Sequence, residues 1–313
     1  MTDIVAQSEA MREAVRLAER VAVTDANVLV TGESGAGKDL LAFFIHARSR
    51  RAAGELVKID CAALPRELLE AELFGYERGA FTGATAAKPG RLEAAHEGTL
   101  VLDEIAHLTT DAQAKLLRVI EQREFERLGG LRTIRVDARL VALTNVDLDE
   151  AVRRRAFRED LFYRLNVVRI HVPPLRERRE DVHQLAARFL EVYAAKHGRR
   201  TKRLTTGALA VFDGYEFPGN VRELSHLIER AVIMSDAEEL GATDLPEAVR
   251  AAVRLKAARR LTLAELEAEY VRETLAVARG NKSETARLLG ISRKNLYEKL
   301  ARYDRIDDGG RQE

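Results

Sequence analysis

The chain has 313 residues, of which 46% are hydrophobic, and its formal net charge at pH 7 is +1. This length and apolar content exclude a disordered protein and allow roughly two or three domains. The sequence has no apolar run of about 18 residues and no secretory signal pattern, and its single cysteine rules out an internal disulfide. These features together predict a cytoplasmic protein without a membrane segment.

The small net charge conceals a basic C-terminal segment. Residues 251–313 carry 14 Lys/Arg and 10 Asp/Glu. Within 279–303, seven basic residues accompany only two acidic ones, Glu284 and Glu298. A basic patch of this kind suits a phosphate backbone, although on charge alone a solvated helical surface is the alternative.

Helical and strand-like patterns alternate through the first part of the chain. Apolar residues from Met11 to Val21 recur at helical spacing. Short apolar runs predict buried strands at 27–30, 57–59, 99–102, 140–143 and 167–172. Strands separated by helical segments predict an α/β fold, in which a parallel sheet carries helices on both faces.

The pattern changes at Pro173-Pro174, and residues 180–245 predict helices only. An Ala/Arg-rich stretch then predicts a helical or flexible linker, and Thr262 and Glu265 have the spacing of a capping box at the start of a final helical unit. We therefore predict four segments: an α/β domain at 1–172, a helical domain at 173–245, a linker at 246–261 and an all-α domain at 262–313.

A glycine-rich run follows the first predicted strand. Gly32-Glu33-Ser34-Gly35-Ala36-Gly37-Lys38 fits the pattern G-x-x-x-x-G-K and precedes a helical run. The glycines let backbone N–H groups turn around phosphate oxygens, the helix N-terminus adds a favourable dipole, and Lys38 supplies a charge for the β- and γ-phosphates. The next residue is Asp39, where the hydroxyl of Ser or Thr would usually hold magnesium.

Two acidic residues, Asp103 and Glu104, end the strand predicted at 99–102. Alone they would be an ordinary loop start, but beside a phosphate-binding loop Asp103 suits magnesium coordination and Glu104 suits polarisation of an attacking water. Because Asp39 lacks a hydroxyl, we expect magnesium binding to depend on Asp103, with Asp39 as a candidate that acts through water. Asn145 follows the strand at 140–143, where its amide is a weaker candidate for sensing the γ-phosphate or holding the water.

The run Gly79-Ala80-Phe81-Thr82-Gly83-Ala84 lies between the phosphate-binding loop and the acidic strand end. Its glycines permit movement, and Phe81 offers an apolar contact. We interpret the run as a finger that an ATPase moves when its nucleotide changes. The alternative is that Phe81 packs into its own subunit.

Residues 281–303 predict a helix-turn-helix. Asn281 can cap the first helix, Gly290-Ile291 makes the turn, and Ser292 begins the second helix. The alternative is a helical cap on the rest of the protein. The residue types of the second helix favour contact with double-stranded DNA, because they suit base edges and phosphates. The candidate contacts are Ser292, Arg293, Lys294, Asn295 and Tyr297.

Several motifs in order resemble the sigma-54-dependent transcriptional activators, which are bacterial enhancer-binding proteins of the AAA+ ATPase superfamily. They are the phosphate-binding loop with Asp39, Glu72-Leu73-Phe74-Gly75, Gly79–Ala84 and Gly219-Asn220-Val221-Arg222-Glu223-Leu224. The resemblance extends from about Ser8 to Tyr303, and its C-terminal part is similar to a Fis-type helix-turn-helix domain. It implies an AAA+ α/β subdomain at 1–172, a helical lid at 173–245, and ATP and Mg²⁺ as ligands.

The resemblance also implies roles for single residues. Arg158 and Arg164 match the family's arginine fingers, which would stabilise transition-state charge in a neighbouring subunit. Arg222 matches the sensor II arginine, which would reach the nucleotide from the lid. Without the resemblance all three would be interpreted as surface residues. The run Gly79–Ala84 matches the loop that contacts the sigma-54 factor.

The function that the resemblance implies is transcription activation. The protein would bind enhancer DNA, assemble as a homo-oligomer (a dimer up to a hexameric ring), and use ATP hydrolysis to convert the closed complex of sigma-54 RNA polymerase into an open one. One alternative is a DNA-binding regulator that uses nucleotide only as an oligomerisation signal. Another is an AAA+ enzyme that remodels a different protein.

Two features depart from the family pattern. Asp60 stands where the family often has an asparagine that restrains the catalytic glutamate, and a second carboxylate near Glu104 would repel it, which puts this switch in doubt. The sequence also lacks a phosphate-receiver or ligand-sensing domain before Ser8. We therefore expect either a separate regulatory protein or a shortened form of a longer chain.

Overall fold

The computed structural model describes residues 4–199, 203–258, 263–278 and 280–300. The chain divides into two compact units, an N-terminal unit over Met1–Asp244 and a C-terminal unit over Leu245–Glu313. No helix in the described ranges combines the length and the apolar character that crossing a bilayer requires.

The described residues of the N-terminal unit form one large sheet and three small ones. In chain order the strands are β1 (Val28–Thr31), β2 (Leu56–Asp60), β3 (Gly75–Tyr76), β4 (Lys88–Pro89), β5 (Thr99–Asp103), β6 (Glu124–Glu126), β7 (Thr133–Arg135), β8 (Arg139–Thr144), β9 (Val168–His171), β10 (Arg203–Leu204) and β11 (Glu239–Leu240). The large sheet has the order β2-β5-β8-β1-β9, and all its neighbouring strands are parallel. The five strands that the apolar runs predict are these five.

Helices and single 3-10 turns connect the strands. The helices are α1 (Glu9–Ala22), α2 (Lys38–Ala47), α3 (Arg66–Phe74), α4 (Arg91–Ala94), α5 (Thr110–Gln122), α6 (Leu148–Arg153), α7 (Glu159–Leu165), α8 (Arg179–Lys196), α9 (Thr206–Gly214) and α10 (Asn220–Met234). The 3-10 turns are Ile105–His107, Leu175–Glu177 and Ala242–Asp244.

Both faces of the large sheet are buried, as expected for a parallel sheet with helices on each side. Leu100 and Leu102 of β5 belong to a core cluster with α3 and α5. Val101 belongs to a second cluster with α1 and α2. Since successive residues of a strand point to opposite faces, a continuous apolar run supplies both cores. The expected α/β class is therefore confirmed.

The region 180–245 contains more than the helices that the sequence predicts. Strands β10 and β11 pair in parallel over two residues each, so the expectation of helices only is wrong at this point. Two-residue strands are too short to show an alternating pattern. Burial of Leu240, whose solvent exposure is 0%, accompanies the pairing.

The C-terminal unit is helical in its described residues. Its helices are α11 (Glu247–Ala258), α12 (Leu263–Val277), α13 (Lys282–Leu288) and a last helix at 293–300. The segment predicted as a helical or flexible linker thus contains α11. Leu296 is fully buried with Val271 and Ala286 in a small core. Thr262 and Tyr303, which the sequence analysis also used, lie outside the described residues.

The turn between the last two helices follows the sequence prediction. Asn281 caps α13, because its side chain accepts hydrogen bonds from the backbone N–H groups of Ser283 and Glu284. Gly290 has φ 67°, a left-handed conformation that glycine adopts without strain. These local features account for the helix-turn-helix geometry of 281–300.

One buried arginine joins the sheet to α1. Arg139, the first residue of β8, is only 1% exposed. Its guanidinium donates to the carbonyls of Val21 and Ala22 at 2.8 Å each, and so satisfies acceptors at the C-terminus of α1. Burial lowers the pKa of this guanidinium.

We predict that Arg139→Ala lowers the free energy of unfolding of the N-terminal unit by at least about 2 kcal/mol, because it leaves a cavity and removes the donor to the Ala22 carbonyl, while the Val21 carbonyl still accepts from Thr24. Urea denaturation monitored by circular dichroism measures this loss. The control is Arg135→Ala, whose side chain is 86% exposed in an ion pair and should cost less than about 1 kcal/mol. Equal losses in the two variants would contradict the structural role of Arg139.

Candidate active site

The glycine-rich loop connects β1 to α2, which begins at Lys38. Gly35 and Gly37 have φ of 74° and 108°, so both adopt conformations that other residues rarely tolerate. A Cβ atom on Gly35 would also lie 2.5 Å from the carbonyl oxygen of Gly219. The loop therefore requires glycine at position 35 both for its backbone angle and for close packing against the start of α10.

Lys38 links this loop to the end of β5. Its side chain is buried, and Nζ donates to the carbonyls of Gly32 at 2.8 Å and Glu33 at 3.2 Å. Nζ also lies 3.7 Å from Oε1 of Glu104. The structure thus brings together the predicted phosphate-binding lysine and the predicted catalytic glutamate.

Asp39 and Asp103 share one cationic partner, Lys58 of β2. The Lys58 Nζ lies 2.5 Å from Oδ1 of Asp39 and 2.8 Å from Oδ2 of Asp103. Burial alone would lower the pKa of Lys58, but its hydrogen bonds with Asp103 and Asp39 outweigh burial and raise that pKa above its ordinary value. Lys58 is not among the site residues predicted from the sequence, although a charged residue inside the apolar run 57–59 is a usable signal.

Glu104 has a strained backbone. Its φ and ψ are both 51°, a left-handed conformation that costs a non-glycine residue of order 1–3 kcal/mol and often marks functional sites. Its Oε2 accepts a hydrogen bond of 3.1 Å from the backbone N–H of Asn145. Asn145 is thus next to Glu104, but its main chain makes this contact, and the role predicted for its side-chain amide stays a prediction.

Asp60 is held locally at the end of β2. Its Oδ1 accepts a hydrogen bond of 2.9 Å from the backbone N–H of Ala62. In the described part of the chain, the carboxylate of Glu104 contacts Lys38 and Asn145 and makes no hydrogen bond with Asp60. Burial, assisted by the charges of nearby acids including Asp60, raises the pKa of Cys61 to about 12, so this thiol stays protonated.

Glu33 fastens the glycine-rich loop to the segment that precedes α8. Arg176 donates two hydrogen bonds to the Glu33 carboxylate, at 2.9 and 2.6 Å, and Asn220 donates a third at 3.0 Å. The hydrogen bonds from Arg176 and then from Asn220 lower the pKa of Glu33 to about 2. Neither partner of Glu33 was recognised from the sequence, because both lie far along the chain.

The N-terminus of α10 also contacts the glycine-rich loop. The backbone N–H groups of Val221 and Arg222 donate to the carbonyl of Gly35 at 3.0 and 3.3 Å. The Arg222 guanidinium donates to Oγ of Ser34 at 3.1 Å. Arg222, the predicted lid residue, is therefore in contact with the predicted phosphate-binding loop.

Arg158 and Arg164 lie away from this cluster, at the start and end of α7. Arg158 pairs with Asp160, and Arg164 pairs with Glu121. Their side chains are 39% and 60% exposed, respectively. The structure does not bring either arginine to the glycine-rich loop of its own chain.

The run Gly79–Ala84 forms a closed turn. The N–H of Gly79 donates to the carbonyl of Ala84, and the N–H of Ala84 donates to the carbonyl of Phe81. The Phe81 ring makes an edge contact with Tyr76, with centroids 4.9 Å apart, yet 41% of the residue stays exposed. Phe81 thus packs in part on its own chain and still presents an apolar surface.

The last helix of the C-terminal unit presents its predicted DNA contacts outward. Ser292 caps this helix, because its Oγ accepts a hydrogen bond of 3.1 Å from the N–H of Asn295. The remaining candidates are exposed: Arg293, Lys294, Asn295 and Tyr297. Lys282 of α13 lies over the Tyr297 ring, 4.7 Å from its centroid.

The fold and this cluster define a class of protein. A parallel sheet with a phosphate-binding loop after β1, acidic residues after β5 and a helical segment against the loop is the arrangement of an AAA+ P-loop ATPase. Residues 4–171 match the family model described as the sigma-54 interaction domain, 176–270 match the AAA+ ATPase lid domain, and 262–303 match the bacterial regulatory protein Fis family. The chain belongs to the sigma-54-dependent transcriptional activators.

Individual relatives agree with this assignment. The chain is 46% identical to the regulatory protein AtoC of Escherichia coli K12, covering 96% of this chain and 67% of AtoC. It is 44% identical to the nitrogen fixation protein AnfA of Azotobacter vinelandii, of which it spans 57%. The crystal structure of NtrX from Brucella abortus in complex with ATP superposes with a TM-score of 0.76 at 36% identity, covering 96% of this chain and 69% of NtrX.

These findings confirm the expected family, the expected AAA+ fold with a lid and a Fis-type helix-turn-helix, and the expected role in sigma-54-dependent transcription. Family membership also implies ATPase activity. The domain boundaries and the roles of single residues stay predictions.

We predict that Glu33→Gln lowers the melting temperature at pH 7, because it weakens the charged contacts from Arg176 and Asn220. The stabilisation by Glu33, at most about 1 kcal/mol for a side chain this exposed, is complete above pH 4.5 and is lost as the pH falls towards 2. Calorimetry of both proteins between pH 7 and pH 3 should therefore show their difference shrinking. A difference that stays constant over this range would contradict the prediction, and Glu121→Gln is the surface ion-pair control.

Proposed function

We propose that this protein binds ATP with Mg²⁺ at the glycine-rich loop, hydrolyses the ATP, and uses the resulting change to remodel sigma-54 RNA polymerase from the closed to the open complex. The observation that carries the proposal is the position of the Lys38 ammonium, 3.7 Å from the Glu104 carboxylate and beside the loop backbone. One site thus combines a phosphate-binding cation with a group that can orient water. The ATP complex of NtrX, a relative with the same fold, supports nucleotide as the ligand.

The acidic residues present fit magnesium. Oxygens of Asp39 and Asp103 already converge on one cationic group, the Lys58 ammonium. Carboxylate oxygens are the ligands that Mg²⁺ prefers. Asp103 would hold the ion, with Asp39 acting through water, and the bound ion would neutralise charge on the phosphates.

The protein's own groups would supply the remaining catalytic functions. Lys38 would leave the carbonyls of Gly32 and Glu33 to bind phosphate oxygens. Glu104, oriented by the N–H of Asn145, would hold the attacking water and accept its proton. Arg222 would reach the nucleotide from the lid, since its guanidinium already contacts Ser34.

A second copy of the chain would complete the site. Arg158 and Arg164 are exposed on α7 and are separate from the loop of their own chain. An arginine that enters from a neighbouring subunit stabilises charge on the transferred phosphoryl group. We therefore propose a homo-oligomer, from a dimer up to a hexameric ring.

The surface proposed to contact sigma-54 and the surface proposed to bind DNA would use different chemistry. Phe81 and Thr82, at the tip of the turn Gly79–Ala84, would contact sigma-54 through an apolar and a hydroxyl group. The exposed side chains of Arg293, Lys294 and Asn295 would bind enhancer DNA, with arginine and asparagine suited to guanine and adenine edges and lysine to phosphates. Two copies would present two such helices to a palindromic site.

We predict that Glu104→Gln reduces ATP turnover by about 10²- to 10⁴-fold and changes nucleotide affinity by less than about threefold, because the amide keeps the shape of the side chain but cannot accept the proton. A phosphate-release assay and a binding titration with ADP measure the two effects. The control is Glu19→Gln on the exposed face of α1.

Unchanged turnover in Glu104→Gln would remove Glu104 from the mechanism. Absence of turnover in the unmodified protein would favour the second candidate, a DNA-binding regulator that uses nucleotide only as an oligomerisation signal. The replacement of the usual hydroxyl by Asp39 is the specific observation that favours that candidate.

We predict that Phe81→Ala and Thr82→Ala each weaken binding of isolated sigma-54 by at least about tenfold, because each removes a contact at the centre of a small interface. ATP turnover should stay within about twofold of that of the unmodified protein. Met234→Ala is the control, since Met234 is a 74% exposed apolar residue at the end of α10, in a separate part of the unit. Normal sigma-54 binding by both variants would point to an AAA+ enzyme that remodels a different protein.

A further inference from the structure

Lys58 occupies an unusual place for a charged side chain. It is the central residue of β2, between the buried Val57 and Ile59. Strand β2 pairs with β5 in a register that sets Asp60 beside Asp103. From this position the Lys58 side chain reaches the carboxyl edge of the sheet, where it is 31% exposed.

The two partners of Lys58 come from separate elements. Asp39 lies in the first turn of α2, whereas Asp103 is the last residue of β5. In the described ranges, no other basic side chain forms an ion pair with either carboxylate. Lys58 is therefore the counter-charge that the protein itself provides for this pair.

Asp39 creates the need for this counter-charge. A hydroxyl at its position would be neutral, whereas Asp39 adds a negative charge close to Asp103, with which it shares Lys58, and next to the Lys38 proposed to bind the phosphates. Like charges that are a few ångströms apart and partly shielded from water repel strongly. A lysine that touches both Asp39 and Asp103 offsets that repulsion.

We propose that Lys58 is a positioning residue that competes with the divalent cation for Asp103 and offsets the charge of Asp39, and so sets how strongly nucleotide binding depends on metal. This inference rests on the proposed magnesium site. A divalent ion held by Asp103 would share that carboxylate with the Lys58 ammonium, which lies 2.8 Å from Oδ2, so the two cations would repel each other across it. Binding of the metal would therefore weaken the contact of Lys58 with Asp103, while Lys58 can keep its contact with Asp39.

Removal of the Lys58 charge should change the affinity for nucleotide and the affinity for the divalent ion in opposite directions. Without metal, nucleotide should bind more weakly, because Asp39 and Asp103 then repel the phosphates without a counter-charge. The divalent ion should bind more tightly, because its competitor is gone. A side chain that only supports the local fold would weaken both.

The test uses the full chain and ADP that carries a fluorescent N-methylanthraniloyl group. In Lys58→Met the affinity for this nucleotide in EDTA should fall at least about threefold, and the Mg²⁺ concentration at half-maximal metal-dependent binding should also fall at least about threefold. Mn²⁺ binding followed by electron paramagnetic resonance gives a second readout, independent of turnover. Lys196→Met, which removes an exposed lysine paired with Glu229, is the charge control.

A second set of variants tests the charge argument even if Lys58→Met folds poorly. In Asp39→Asn only the charge of Asp103 remains, so adding Lys58→Met to it should lower the affinity in EDTA by a smaller factor than Lys58→Met does in the unmodified protein. Loss of both metal and nucleotide affinity in Lys58→Met, or no change in either, overturns the proposal. If Asp103→Asn also keeps the metal dependence of the unmodified protein, the proposed magnesium site fails instead.

Discussion

The chemistry of this protein depends on one constraint, that parallel strands β1, β5 and β8 end at the same edge of one sheet. Burial of both faces fixes the register, because a shift by one residue would exchange the two apolar cores. Lys38, Glu104 and Asn145 follow three different strands, yet their contacts are direct. Glu104 lies at this same edge, and the structure around it keeps its backbone in the strained left-handed conformation.

Several polar contacts join the lid to this edge. The Glu33 carboxylate receives Arg176 and Asn220, and the first N–H groups of α10 donate to the carbonyl of Gly35. These contacts involve the same loop that we propose to bind phosphates. A ligand that changes the loop must therefore also change its contacts with the lid, which provides a physical route from nucleotide to the position of α10.

Sequence patterns predicted the features of this site that arise from neighbouring residues and missed the contacts between residues far apart in the chain. The glycine-rich loop, the strand that ends at Asp103 and the helix-turn-helix each have a signature within a few neighbouring residues. Contacts of Lys58 with Asp39 and Asp103 depend on strand order and side-chain reach, which no local pattern contains. The partners of Glu33 were missed for the same reason. The two-residue pairing of β10 with β11 is too short to produce any periodic signal.

One chain combines the proposed nucleotide site, an apolar turn around Phe81 and a basic helix, and we propose that ATP hydrolysis by this chain drives opening of the promoter. The most direct measurement is an in-vitro transcription assay with sigma-54 RNA polymerase and enhancer DNA. We predict that open complexes, detected by permanganate reactivity of the melted DNA, form with ATP and do not form with a non-hydrolysable analogue. Equal amounts of open complex with ATP and with the analogue, or none in either case, would contradict it.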